Sequence, residues 1–184
     1  MAAPLRQRAA AMLTSPRTEW PVVAAEPETV PSLYLRYIMP LSAIGPIVLV
    51  ARFASPGWLG LAVMQYLLQL AAVYVCARII GALAPRFHAR DDGVQALKLV
   101  AYAATPSWIA DGLGVVPQLR LLTVAGLVYS VYLYYLGVTP VMRTPPEQVV
   151  PFTLVSAILV VVGFTIASAI VGVLLGGAIG VLRL

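Results

Sequence analysis

Five apolar stretches, each long enough to cross a bilayer as a helix, divide most of this chain between them. They cover residues 32–53, 58–84, 94–116, 119–142 and 149–182. A hydrocarbon layer about 30 Å thick takes about 20 residues of helix, and a helix satisfies its backbone N–H and C=O groups internally. Of 184 residues, 61% are hydrophobic and only 10% are charged, outside the usual range of soluble domains. The connections are short and rich in helix breakers: Ser55-Pro56-Gly57, PRFHARDDG at 85–93, Pro117, and RTPPEQ at 143–148. Short loops make neighbouring helices antiparallel. The expected fold is therefore all-α, a polytopic membrane bundle of five transmembrane helices over residues 32–184. A cytoplasmic or interfacial segment, residues 1–31, precedes it.

With five crossings the two termini lie on opposite faces. One face then holds Arg6, Arg8, Arg17, Arg78, Arg86, Arg90, Lys98 and Arg143, and the other holds Arg52, Arg120 and Arg183. This asymmetry, with Arg36 left aside, predicts a cytoplasmic N-terminus and an extracytoplasmic C-terminus in the cell (inner) membrane. The net charge of +5 is explained by orientation and by anionic lipid headgroups at the cytoplasmic face, so nucleic acid is not an expected partner. Cys76 is the single cysteine, which excludes a disulfide within the chain. The arginine-bearing start lacks the apolar core of about 7–15 residues that marks a signal peptide. The first span is expected to act as its own signal.

Within residues 1–31, LRQRAAAMLT predicts a short interfacial helix with arginines on one side and Leu5, Met12 and Leu13 on the other. Ser15 and Pro16 then open a second turn as N-cap and first helical residue. Trp20 is expected at headgroup level, and AEPETVPS forms an ordered lead-in turn; a loosely ordered basic tail is the alternative. In the third span, Asp92 predicts an N-cap, with Gln95 reaching back to close a capping box. The last stretch has 34 residues, roughly 50 Å of helix, so it must tilt, bend or run past the headgroups. In it Ser168, Gly172, Gly176 and Gly180 recur every four residues. Such a stripe packs closely on another helix, of this bundle or of a second copy in a homo-oligomer.

Catalytic signatures are absent: there is no HExxH, GxSxG or P-loop, and the one histidine, His88, lies in a loop. No cofactor and no metal is expected. The polar groups at membrane depth are the candidate functional residues: Arg36, Gln65, Gln69, Arg78, Lys98 and Asp111. Such groups must snorkel, pair or face a cavity. Gln65 and Gln69 stand one turn apart, as an interhelical hydrogen-bond seam or as a polar lining for a solute path. Arg78 and Lys98 sit at the cytoplasmic ends of their spans, where lipid headgroups are in reach. Asp111, beside Gly112, reads as a loop cap before a proton relay. Tyr129, Tyr132, Tyr134 and Tyr135 crowd the fourth span, and Tyr129 is deep enough that its hydroxyl needs a partner.

Prolines shape the spans. Pro40 with Gly45 and Pro46 bends the first helix, and Pro106 bends the third. Each proline frees the carbonyl four residues back, so those of Arg36, Ser42 and Tyr102 need other donors.

Taken in order, the N-terminal EW and AEPETV, LYLRYIMPLSAIGPI, ALKLVAYAATPSWIADGLGVVP, and YSVYLYYLGVTPVM before a Pro-rich turn and a glycine-rich last span resemble the bacterial branch of the Yip (Ypt-interacting protein) family. The likeness extends over about residues 10–180. It implies five transmembrane helices with a cytoplasmic N-terminus. Eukaryotic members are implicated in vesicle traffic and bind prenylated Rab-type GTPases. The short leader here lacks the long acidic or Gln-rich segment of many of them, so GTPase binding is not carried over. The expected function is a non-enzymatic scaffold or membrane-organising adaptor with a protein or lipid partner; the alternative is a channel or transporter for an ion, small solute or lipid.

Overall fold

The computed structural model describes residues 4–53, 56–113 and 116–181, with the side chains of 53, 56–58, 117, 120, 167, 168, 171, 172 and 174–181 outside that description. Among the described residues every regular element is helical. The first of these form a docked hairpin. Helix α1 spans Leu5–Thr14 and α2 spans Pro16–Ala25. Ser15 is the N-cap of α2 and Pro16 its first residue, where a missing N–H costs nothing. The hairpin packs on three later helices and buries Met12, Trp20 and Val23. Trp20 is thus enclosed by protein, not set at headgroup level. Arg8 is also turned inward beside Ala9 and Met12, which corrects the expected two-sided helix; two carboxylates of the second arm receive it.

The first long span starts at α3, Val30–Leu33, where Thr29 accepts the Ser32 N–H at 3.3 Å. It continues through a π-helical turn at Tyr34–Ile38 into α4, Met39–Ser42, and α5, Ile44–Phe53. The Met39 N–H reaches back to the Tyr34 carbonyl, five residues away, so the wide turn absorbs one extra residue just before Pro40 breaks the ladder. Helix α6, Pro56–Leu83, lies against this span. Tyr34 donates to the Leu70 carbonyl at 2.8 Å, and Tyr66 donates to that of Met39 at 3.0 Å.

A 3-10 turn at Ala84–Phe87 and a left-handed His88 lead out of α6. Asp92 then caps α7, Gly93–Ala103, by accepting the N–H groups of Val94 and Gln95 at 3.0 and 3.1 Å. The capping box does not close: the Gln95 side chain turns toward α2, where Nε2 donates to the Ala24 carbonyl at 3.2 Å, and its Oε1 accepts nothing among the described residues. At Ala104 the third span breaks, and α8 runs from Thr105 to Leu113. Pro106 has no N–H for the Tyr102 carbonyl; Thr105 Oγ1 donates to it at 2.7 Å. That leaves Thr105 Oγ1 as acceptor for the Tyr37 hydroxyl, 2.7 Å away.

Helices α9, Arg120–Met142, and α10, Pro146–Val181, complete the bundle. Among the described residues, four helical segments are long and apolar enough to cross a membrane: Val30–Arg52, Leu59–Phe87, Leu121–Met142 and Pro146–Ile166. The α7–α8 pair is not among them. It carries Lys98, Ser107 and Asp111, and Ala96 to Ala103 are buried without interruption, so other helices surround the α7 half. The outside of the bundle exposes Leu35, Ile47, Leu121, Val128 and Ile158. An apolar girdle of that extent is covered by lipid chains. The stripe of Ser168, Gly172, Gly176 and Gly180 lies outside the described side chains.

Candidate functional site

A cavity of about 530 Å³ opens between α6, the α7–α8 pair, α9 and α10. Its wall is mostly aliphatic and aromatic, with Leu68, Trp108, Leu127 and Phe164 among the lining residues. Across this surface run two polar pairs, each one helical turn apart. Gln65 and Gln69 come from α6, and Ser107 and Asp111 come from α8; Thr123, Ser130 and Tyr134 of α9 and Thr165 of α10 complete the polar part.

The break at Ala104 helps to position the α8 pair. There the Ser107 N–H donates to Ser130 Oγ at 3.2 Å, and the two hydroxyl oxygens stand 2.8 Å apart. Gly126 of α9 allows the close crossing: a Cβ there would lie 2.6 Å from Ala110 Cβ and 3.0 Å from the Pro106 carbonyl oxygen. Four polar groups of the lining, Gln65, Gln69, Asp111 and Tyr134, remain available to a ligand. Asp111 has no ion pair or hydrogen bond among the described residues. Tyr134 is 4% exposed and its hydroxyl has no hydrogen-bond partner. An apolar chamber with a few converging polar groups is suited to an amphipathic molecule. No group of three His, Cys, Asp or Glu able to hold a metal occurs among the described residues.

Of the six polar residues singled out by the sequence, Gln65, Gln69 and Asp111 meet at this cavity. Arg36 lines a separate, smaller pocket against the N-terminal hairpin. Arg78 is exposed on α6. Lys98 is only 1% exposed, and its Nζ donates to the carbonyls of Val23, at 2.9 Å, and Glu26. It does not reach headgroups. The last carbonyls of a helix lack partners within it and form the negative end of its dipole, so the end of α2 supplies acceptors for a buried ammonium.

Arg8 belongs to the same assembly. It is 3% exposed and bonds Glu19 and Glu26. Burial alone would lower its pKa, but the hydrogen bond and charge of Glu26, joined by the charge of Glu19, outweigh it and raise the guanidinium above its ordinary value. Tyr129 finds its required partner here too, donating to the Leu13 carbonyl at 2.7 Å. Sequence reading missed Arg8, Ser107, Ser130 and Tyr134 as parts of these sites. A serine next to a span-breaking proline was the available signal for Ser107; the other three have no local signature.

With this geometry in hand, comparison with known proteins is informative. The Yip1 domain matches residues 10–170. Inner membrane protein YohC of Escherichia coli K12 is 26% identical over 160 residues, covering 77% of this chain and 82% of the relative. The protein of the same name from Escherichia coli O6:H1 gives the same figures. No solved structure matches the chain.

Proposed function

Because the chain belongs to the Yip1 domain family, we propose that it is a non-enzymatic, multi-pass inner-membrane protein that organises the bilayer by holding a lipid or lipid-like molecule between its helices. The observation that carries this reading is the convergence of Gln65, Gln69 and Asp111 on one largely apolar cavity. Nothing in that cavity pairs a nucleophile with a base, whereas an apolar chamber with a polar stripe suits reversible binding. The α7–α8 pair is the fifth crossing in this reading. Gly93 to Leu113 gives about 31 Å of helix, and the arginine asymmetry then keeps the hairpin in the cytoplasm and the C-terminus outside. The docked hairpin is the surface that would meet a protein partner in an adaptor role.

Two measurements test this. Mass spectrometry of the gently purified protein should find bound lipid, and Gln69→Leu with Asp111→Leu should reduce its amount several-fold. Equal lipid content in the wild type and the double variant would refute the cavity as the holding site. Cysteine labelling that found both termini in one compartment would refute the five-crossing topology.

A second reading, a conduit for an ion or small solute, is favoured by the unpaired carboxylate of Asp111 at the cavity wall. It requires proteoliposome flux that disappears in Asp111→Asn or Gln69→Leu.

A further inference from the structure

A second pocket, about 350 Å³ in volume, lies where the hairpin meets the first span, remote in role from the cavity above. Glu28, Ser32, Arg36 and Tyr102 line it together with Arg8. Ser32 and Arg36 stand four residues apart in the helical first span, and Glu28 lies just before its start. The Ser32 hydroxyl donates to the Glu28 carboxylate and holds it in place. Arg8 is already taken by Glu19 and Glu26. Arg36 forms no ion pair among the described residues, with Glu28 or with any other carboxylate. The pocket therefore presents an unpaired cation, Arg36, and a carboxylate, Glu28, that is held by Ser32 and lies in the field of Lys98 without forming an ion pair among the described residues.

Its depth and surroundings point to a membrane ligand. Arg36 stands six residues into Val30–Arg52, about 9 Å of rise, a depth from which its long side chain can reach back to the phosphate level. Leu35 beside it is 69% exposed, an apolar face for an acyl chain. The wide π-helical turn at Tyr34–Ile38 carries Arg36; such turns recur at functional sites.

We propose that this pocket binds the zwitterionic headgroup of a phosphatidylethanolamine-type lipid, with the phosphodiester on Arg36 and the primary ammonium on Glu28. The charge pattern selects against the other common headgroups. Glu19, Glu26 and Glu28 are matched by Arg8, Arg36 and Lys98 around the site, so a headgroup without net charge fits it better than one with net negative charge. A choline headgroup has no N–H to donate to Glu28. Soluble phosphoethanolamine shares the recognised chemistry but lacks the chains that Leu35 would cover.

The test uses the purified, delipidated full-length chain in detergent, titrated separately with short-chain phosphatidylethanolamine, phosphatidylcholine, phosphatidylglycerol and soluble phosphoethanolamine, with binding read by native mass spectrometry. Phosphatidylethanolamine should bind at least about tenfold more tightly than the other three. Arg36→Gln and Glu28→Gln should each abolish that preference, Glu28→Gln should improve phosphatidylglycerol binding, and Arg36→Lys should retain the wild-type order. Thermal unfolding of each variant checks that the fold survives. Equal or tighter phosphatidylglycerol binding by the wild type, or an unchanged preference in folded Arg36→Gln and Glu28→Gln, would overturn the proposal. Phosphoethanolamine binding as tightly as the lipid would overturn the membrane source of the ligand.

Discussion

Replacing Gly126 with alanine tests whether the α8–α9 crossing is set by backbone contact. The added methyl would stand 2.6 Å from Ala110 Cβ and 3.0 Å from the Pro106 carbonyl oxygen, where comfortable carbon contacts are about 3.5–4.0 Å. Neither neighbour is the tip of a rotatable side chain, so the helices themselves must separate by roughly 1 Å to restore such contacts. Overpacking of this kind costs about 1–3 kcal/mol, and rigid neighbours place the cost at the upper end. Alanine in place of glycine within a helix returns up to about 1 kcal/mol, so a net loss of about 2 kcal/mol remains. For a chain of this size that corresponds to a melting temperature lower by about 4–8 °C. Thermal unfolding of the purified protein in detergent measures it. Gly60→Ala is the control, since nothing lies within 4 Å of a Cβ built at Gly60; it isolates helix propensity and should leave stability unchanged or slightly raised. Ala110→Gly added to Gly126→Ala removes the closest overlap and should recover part of the loss. A Gly126→Ala protein that melts with or above the wild type, or that Ala110→Gly fails to rescue at all, would refute the reasoning.

Gly137→Ala addresses the hairpin. Its methyl would fall 2.7 Å from two atoms of the Trp20 indole and from Leu99 Cδ1, so α2 should loosen from α9, and trypsin should cleave after Arg17 several-fold faster. Arg8→Ala leaves Glu19 and Glu26, which are 17% and 22% exposed, without their cation. Breaking a fully buried pair costs about 3–5 kcal/mol; with the carboxylates partly wet, a cost of about 1–3 kcal/mol is expected, read as faster cleavage after Arg17. Lys98→Met removes the donor to the Val23 and Glu26 carbonyls and should raise amide hydrogen exchange across Val23 to Glu26, while a chain whose exchange there is unaltered would show that the buried ammonium is not what pins α2.

Much of the fold was legible in the sequence because the governing effects are local. Residues 93–113 show both sides of this. Asp92 announces the start of α7 and Pro106 its break, since capping and the missing proline N–H act within a turn or so of chain. The same segment was misread at Gln95 and Lys98, whose acceptors lie 71 to 75 residues away in α2. No local rule announces those carbonyls. The site behaves alike: Gln65, Gln69 and Asp111 were marked out by their polarity alone, while Ser130 and Tyr134 resemble ordinary helix residues until α9 meets α8 at Gly126.

The chain by itself thus determined where long apolar helices lie, where they are interrupted and which family the protein belongs to, because the transfer of each side chain from water and the geometry of each turn depend on near neighbours. Tertiary structure alone decided which polar groups face a cavity and which are consumed in packing. A buried cation survives only where another helix delivers its acceptors, and that delivery is a property of the assembled bundle.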